Sequence, residues 1–300
     1  MDFITIFDNT LNQTLIYAFL ALSVYISLRL LDFPDLSIEG IFPMGAAIAV
    51  AITKYSELAG LSIPIAMFFG FIIGAITASL YIYLKIGKLL SGILVSIGLY
   101  SINFRIMGAK GNLYLNENEN IITPLRTLDT TISNYIFHDT PVVLYPFSNF
   151  ILIILFALVV FLLYKLLITE KGFLIKNGRA DNKYFYESIG VNYKIYVIIG
   201  LGIASSLAAL SGALAAFQSG SSSLTMGFGI ILVALVSLVI GEQIIKIFHK
   251  DLTDLFPTIL APFIGTFVYY LIIRIISWLN TLWQSFTGYP DPTDQFQFFN

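Results

Sequence analysis

The longest stretch of this sequence without a charged side chain runs from Ile195 to Gly241, and it constrains the fold more than any other feature. A helix needs about 20 mostly apolar residues to cross a bilayer, so this stretch predicts two crossings joined near Gln218–Ser223. Other uncharged runs recur along the chain, at Asn9–Leu28, Gly40–Thr53, Leu58–Leu84, Leu89–Phe104, Pro141–Tyr164 and Leu255–Ile273. Together they predict about eight membrane segments.

The composition agrees with a membrane protein. Hydrophobic residues make up 57% of the chain and charged residues 11%, whereas a soluble domain has about 25% charged residues. The apolar runs lack the alternation of barrel strands, and backbone groups in lipid are satisfied only in helices or closed barrels. We therefore predict an all-α, polytopic transmembrane helical bundle that forms one domain over residues 1–300. The run Leu15–Leu31 is predicted to remain as the first span, since no basic region precedes it and no cleavage site follows it.

Basic residues set the predicted orientation. Six of the sixteen lie in the segment Lys165–Lys194, and cytoplasmic loops of membrane proteins carry an excess of Lys and Arg. With this loop inside and sides alternating through each span, eleven basic residues lie inside and five outside. Both termini and the loop Met107–Thr140 are then external. That external loop is read either as a solvated connector or as a docking surface for an extracytoplasmic partner.

Catalytic and cofactor motifs are sparse. Gly87–Lys88 is followed by Leu89, so the phosphate-binding loop G-x-x-x-x-G-K-[ST] is missing and any ATP must be used by another subunit. His138 and His249 fall on opposite sides of the predicted topology, which excludes a paired histidine metal site. The chain has no cysteine. We predict no metal or cofactor in this chain and no nucleic-acid partner.

Polar residues inside or at the ends of spans are candidates for a translocation path, because such groups are costly in lipid and are often functional. The candidates are Asp35, Glu39, Asn103, Arg105, Gln218 and Glu242. For Arg105 and Glu242 the alternative is a side chain that extends to the membrane interface. For Glu39, which precedes Gly40 and Pro43, an interrupted helix beside the path is considered. Small residues at helix-packing spacing, Gly70 with Gly74 and Ala208 with Gly212 and Ala216, predict close interhelical contacts.

The basic loop contains the pattern of a short helix. Asp181 or Asn182 is a suitable N-cap, Lys183–Ile189 supplies about two turns, and Gly190 is a natural left-handed residue after the helix. Phe185 and Ile189 are four residues apart and share one face. Such a helix can insert into the groove of a partner, or it can lie on the membrane surface.

Three blocks of the sequence resemble one family of transporters. Ser91-Gly-Ile-Leu-Val-Ser-Ile-Gly-Leu-Tyr-Ser-Ile-Asn-Phe-Arg-Ile-Met-Gly108 is similar to the signature "SGIL…LYSINLRIMG" of amino-acid-type ABC transporter permeases related to the branched-chain amino acid and simple-sugar permeases. Phe33-Pro-Asp-Leu-Ser-Ile-Glu-Gly40 resembles the family's "FPDLTVDG". Ser211-Gly-Ala-Leu-Ala-Ala-Phe-Gln-Ser-Gly220, Met226-Gly-Phe-Gly229 and Ile240-Gly-Glu242 resemble its block "AGALLAQYQG…MGIG…VIIGE".

The resemblance implies a membrane subunit of an ABC importer in the bacterial cytoplasmic membrane. Its implied partners are a second permease copy, two ATPase subunits that use ATP and Mg, and an extracytoplasmic substrate-binding lipoprotein. The loop matching Gly172–Asn192 corresponds to the coupling helix that contacts the ATPase, and the implied coupling residues are Gly178, Arg179, Asp181, Asn182, Phe185, Glu187, Ile189 and Gly190.

The chain departs from the family at two places. The coupling segment Lys176–Asn192 has a shifted Gly-Arg pair and extra aromatic residues relative to "RATGDNPxMARALGVN", so the groove of the partner is expected to have diverged as well. The family also continues past the block matching Asp291-Pro-Thr-Asp294 into one more span, so this chain is either naturally shorter or truncated.

The sequence therefore predicts a permease that imports a small solute such as an amino acid and itself catalyses no reaction. A secondary transporter driven by an ion gradient is the alternative, and a membrane enzyme that uses Asp35, Glu39 and Glu242 is a third possibility. Ion-coupled carriers bind their ions near the middle of the membrane, whereas these acidic residues lie at span ends. Membrane lipid surrounds the protein in each case.

Overall fold

The computed structural model describes residues 3–56, 59–116, 146–178, 186, 190–248 and 255–287. Nine α-helices cover most of this part of the chain. Their bounds are α1 Phe3–Val24, α2 Ile38–Tyr55, α3 Ser62–Leu84, α4 Lys88–Ile106, α5 Pro146–Ile168, α6 Glu170–Gly178, α7 Tyr193–Ser219, α8 Ile230–Phe248 and α9 Leu255–Thr287. A π-helical turn, Tyr25–Leu30, continues α1, and 3-10 turns occupy Ala59–Leu61 and Leu224–Gly227.

Eight of the described helices are long and apolar enough to cross a membrane. This confirms the predicted all-α transmembrane bundle and its eight segments. The uncharged run Ile195–Gly241 divides as predicted, because α7 ends at Ser219 and Gly220 takes a left-handed conformation with φ 71°. A left-handed glycine is the usual residue after a helix C-terminus.

The centre of the bundle is formed by α1, α2 and α7. Within their apolar windows 72% to 78% of residues are buried, whereas only 28% of the α4 window is buried. Helix α7 packs against α1, α2 and α3. A methyl group on Gly212 would lie 2.0 Å from the carbonyl oxygen of Phe42, and one on Gly74 would lie 2.5 Å from that of Leu201. The predicted small-residue contacts are confirmed at Gly70, Gly74 and Gly212, where backbones approach too closely for a side chain.

Different contacts hold the loops together at the two ends of the bundle. At one end, strands β1 (Asn112–Tyr114) and β2 (Ser221–Ser223) form an antiparallel ribbon in which Leu113 pairs with Ser222. The Lys54 ammonium donates to the carbonyl oxygen of Tyr114 at 2.6 Å, so the loop after α2 lies at this end too. These are the segments for which the sequence predicts an external location.

The segments predicted to be cytoplasmic meet at the opposite end. Lys88 Nζ donates to the carbonyl oxygen of Asp32 at 2.7 Å, and Arg29 pairs with Glu242. Helices α6 and α7 both contact the π-helical turn. The structure therefore groups the loops as alternation through eight spans requires, while the side that faces the cytoplasm stays a prediction based on the basic residues.

Candidate functional site: a polar cavity and an ion pair at the opposite end

A cavity of about 320 Å³ lies between α2, α4 and the 3-10 turn Leu224–Gly227. The lining residues that carry a polar group or an aromatic ring are Glu39, Ser96, Tyr100, Ser101, Asn103 and Phe228. One carboxylate, one amide and three hydroxyl groups therefore converge beside apolar side chains within the membrane-spanning helices. Ligand sites in proteins commonly combine apolar walls with a few placed polar groups.

Two backbone features place Glu39 in the cavity. Glu39 lies in the first turn of α2, where a carboxylate interacts favourably with the positive end of the helix dipole. Helix α2 runs without interruption through the buried Pro43, so the interrupted helix considered from the sequence is not formed. Pro43 has no N–H to donate to the Glu39 carbonyl one turn earlier. Gly227 packs closely there, since a methyl group on it would lie 2.0 Å from that oxygen.

Asn103 is held in one orientation by α2. Its side-chain N–H donates to the carbonyl oxygen of Gly40 at 3.1 Å, so its oxygen must face away from that carbonyl. The oxygen is buried and accepts no hydrogen bond from any described residue. A buried polar atom without a partner costs about 1 to 3 kcal/mol, and less than 1 Å² of this oxygen is accessible to water. Gly40 allows this approach, because a methyl group on it would meet Ser96 Cα at 2.9 Å.

The other predicted path residues lie outside this cavity. Asp35 is 2% exposed, and its carboxylate accepts the Ser37 N–H at 2.9 Å just before α2 begins. Burial raises the pKa of the Asp35 carboxyl, and the hydrogen bonds from Ser37 oppose that rise. Arg105 is exposed near the end of α4, and Gln218 is half-buried in the last turn of α7. The structure thus brings Glu39 and Asn103 together and separates them from Asp35, Arg105, Gln218 and Glu242. Whether any of the six lines the path stays a prediction.

Three hydroxyl-bearing cavity residues were missed from the sequence, namely Ser96, Tyr100 and Ser101. A signal for two of them was present, because Ser96, Tyr100 and Asn103 follow the spacing i, i+4, i+7 of one helix face. Because hydroxyl groups are common in membrane spans, the sequence alone did not distinguish this helix face from other faces.

Glu242 forms a bidentate ion pair with Arg29 at the end of the bundle opposite the ribbon. Arg29 Nε donates to one carboxylate oxygen at 2.6 Å and Nη2 donates to the other. The Glu242 side chain is 8% exposed and that of Arg29 is 47% exposed. Arg29 belongs to the π-helical turn Tyr25–Leu30, and such turns occur frequently at functional sites. The pair ties α1 to α8 across the bundle.

Much of the predicted coupling helix falls outside the described residues. This applies to six of the implied coupling residues, namely Arg179, Asp181, Asn182, Phe185, Glu187 and Ile189. His138 and His249 also lie outside them. Gly178 ends α6. Gly190 has φ 72°, and the Val191 N–H donates to the Tyr186 carbonyl at 2.9 Å, which is the closing bond of a Schellman motif. The left-handed conformation predicted for Gly190 is confirmed.

Tyr186 anchors this segment and was missed from the sequence. Its side chain is fully buried. The hydroxyl donates to the Leu174 carbonyl in α6 at 3.1 Å, and the ring stacks on Tyr196 in α7 at 5.9 Å between centroids. Burial raises the pKa of Tyr186 to about 12, so this hydroxyl keeps its donor proton at physiological pH. Tyr186 thereby contacts both α6 and α7, and these two helices contact the π-helical turn.

The eight apolar spans of the described residues define a multi-pass membrane protein. Residues 6–291 match the family described as "Branched-chain amino acid transport system / permease component", and the chain belongs to this family. The family makes the chain a transport permease component and confirms the resemblance inferred from the sequence blocks.

Two curated relatives cover most of the chain. It is 36% identical over 276 residues to a tyrosine transport system permease protein of Clostridioides difficile, which spans 91% of this chain and 84% of the relative. It is 31% identical over 272 residues to an uncharacterized protein of Rickettsia prowazekii, which spans 89% of this chain and 87% of that relative. No solved structure matches the chain.

Proposed function

We propose that this chain is the membrane-spanning subunit of an ATP-driven ABC importer for an amino acid. The cavity between α2 and α4 carries the proposal, because it places the Glu39 carboxylate and the hydroxyl-bearing residues Ser96, Tyr100 and Ser101 beside apolar walls. Carboxylate and hydroxyl oxygens are both acceptors, and they suit the ammonium group of an amino acid. The exposed rings of Tyr100 and Phe228 suit an aromatic or apolar side chain.

The relative from C. difficile supports an aromatic solute for this chain, since its name assigns it to tyrosine transport. We therefore take tyrosine as the first solute to test. In this mechanism the solute ammonium exchanges its water for the Glu39 carboxylate as it passes the cavity. The hydroxyls of Ser96 and Ser101 offer further hydrogen bonds to the solute.

Energy is supplied by separate subunits. The chain has no nucleotide-binding loop, and families of this kind work with ABC ATPases. ATP binding in two such subunits would displace the segment held by Tyr186, and α6 and α7 would pass the displacement to the π-helical turn. We further propose that two copies of the chain pair in the bacterial cytoplasmic membrane and that a substrate-binding lipoprotein delivers the solute at the ribbon end.

Uptake of tyrosine into proteoliposomes with the ATPase and binding protein tests the role of the cavity. Glu39→Gln removes the charge that faces the ammonium, and a hydrogen bond to a charged group is worth about 1.5 to 3 kcal/mol. We expect uptake efficiency for tyrosine to fall about ten-fold or more, while uptake of the analogue that lacks the amino group changes little. Glu170→Gln, an exposed carboxylate at the start of α6, is the matched control. An equal loss for both solutes would contradict ammonium recognition by Glu39.

The energy source is tested separately. Permease alone in liposomes is given a sodium or proton gradient, and the full complex is given ATP without a gradient. ATP-dependent accumulation only in the complex supports the importer. Accumulation by the permease alone under an ion gradient would contradict it and would support the secondary transporter.

A further inference from the structure

A second cavity, of about 440 Å³, opens on the outer surface of the bundle between α1, α5 and α9. We call it the α5 groove. Its walls include Leu15 of α1, Phe156, Val160 and Phe161 of α5, and Phe263 of α9. The Phe156 ring lies 5.0 Å from that of Phe263 and 5.5 Å from that of Phe19, measured between centroids. This aromatic cluster gives the groove a firm floor.

The lining of the α5 groove excludes a polar solute. All of its lining side chains are apolar except Tyr164, which adds one hydroxyl. On α5 the lining runs from Ile153 to Tyr164, which is about 16 Å of helix. The neighbouring outward side chains Phe150, Ile154 and Leu158 are also apolar and are 52% to 61% exposed. The groove is therefore an apolar channel along the lipid-facing surface of a spanning helix.

A positive charge stands at one end of this channel. Lys165 directly follows Tyr164, and its ammonium lies 5.7 Å from the centroid of the Phe161 ring that lines the groove. Lys165 is exposed. It also belongs to the basic segment predicted to be cytoplasmic, and the cytoplasmic leaflet carries anionic lipids that attract Lys and Arg near the surface. The apolar channel and the cation thus match the two parts of an anionic phospholipid.

We propose that the α5 groove binds an acyl chain of an anionic phospholipid and that Lys165 binds the phosphate of its headgroup. The acyl chain covers the aromatic floor formed with α1 and α9, where burial of apolar surface favours it over water. The Lys165 ammonium provides the selectivity between headgroups, because a neutral zwitterionic lipid gains less from a single cation. The site is separate from the polar cavity, which lies between other helices.

Quenching of tryptophan fluorescence by lipids with brominated acyl chains tests this site in the full chain. Trp278 and Trp283 are first replaced by Phe, and Phe161→Trp places a reporter in the groove. Leu94→Trp, at a 51% exposed position in the middle of α4, reports ordinary lipid contact. The reporters are compared in bilayers that contain brominated phosphatidylglycerol or brominated phosphatidylcholine at low mole fraction. Lys165→Gln is then added to the groove reporter.

We expect the groove reporter to prefer brominated phosphatidylglycerol about five-fold, the effect of one basic residue near the membrane surface. The preference should disappear with Lys165→Gln, and the Leu94→Trp reporter should show none. Equal quenching of the groove reporter by both lipids would overturn the proposal and indicate ordinary annular lipid. No quenching by either lipid would overturn it in favour of a second protein copy over the groove. A preference that survives Lys165→Gln would refute the assignment of the headgroup to Lys165.

Discussion

Removal of Arg29 is expected to destabilise the protein more than neutralisation of Glu242, although the two residues form one ion pair. Arg29→Gln leaves a carboxylate that is 8% exposed without its cation, whereas Glu242→Gln leaves a guanidinium that is 47% exposed and can be hydrated. Breaking a buried pair costs about 3 to 5 kcal/mol, and exposed pairs are worth about 0.2 to 1 kcal/mol. Because Arg29 is half exposed, we expect about 1 to 3 kcal/mol for Arg29→Gln and about 1 kcal/mol or less for Glu242→Gln.

Thermal unfolding of the purified protein measures this difference. At about 2 to 4 °C per kcal/mol for chains of 150 to 250 residues, Arg29→Gln should lower the Tm by roughly 2 to 12 °C. Trp278 and Trp283 in α9 supply an intrinsic signal, and α9 packs directly against α8, which carries Glu242. The double variant Arg29→Gln/Glu242→Gln should recover most of the loss, because two neutral amides replace the unpaired charge.

The relative destabilisation by the two single variants and the double variant tests whether unequal burial controls the ion pair. If Glu242→Gln proves as costly as Arg29→Gln, unequal burial of the two side chains does not control their energetics. If the effects of the single variants add in the double variant, the two side chains do not interact in solution. Lys85→Gln, a substitution at an exposed position at the same end of the bundle, should leave the Tm unchanged.

Three further outcomes are expected. Tyr186→Phe removes the hydrogen bond to the α6 carbonyl, worth about 1 kcal/mol, and should lower uptake per ATP hydrolysed while the ring keeps the segment packed; unchanged coupling would contradict its role as an anchor. Gly241→Ala should reduce the folded yield and Gly98→Ala should not, because a methyl group on Gly241 lies 1.8 Å from a backbone oxygen of α9 and one on Gly98 meets nothing within 4 Å. Ser133→Cys should react with an impermeant thiol reagent in intact cells and Asn177→Cys should not, since the native chain has no cysteine; the reverse result would invert the predicted topology.

The eight spans could be predicted from the sequence because the bilayer imposes a length on each helix and excludes charge from it. The contacts of Gly70, Gly74 and Gly212 could be predicted as well, since small residues at helical spacing identify a packing face without knowledge of the partner helix. Both inferences use only neighbours along one helix.

The polar cavity and the Arg29–Glu242 pair could not be derived in this way. Glu39 and Asn103 were each candidates, but their meeting depends on how α2 crosses α4, which no local pattern encodes. Glu242 was read as either functional or interfacial, and its partner lies 213 residues away. The helical spacing of the coupling segment selected Phe185 and Ile189, which lie outside the described residues. The structure shows Tyr186 of the same segment buried against α6 and α7.

The short β1–β2 ribbon restrains the relative movement of helices at one end of the bundle. It fastens the segment after α4 to the turn after α7 through strands of three residues each, so these helices can separate little at that end. Helix α7 has 27 residues and is about 40 Å long. A tilt of about 5° around the ribbon would therefore displace its far end by roughly 3.5 Å. Because the ribbon fixes one end of these helices, a small change in helix angle there produces ångström-scale movement beside the Arg29–Glu242 pair.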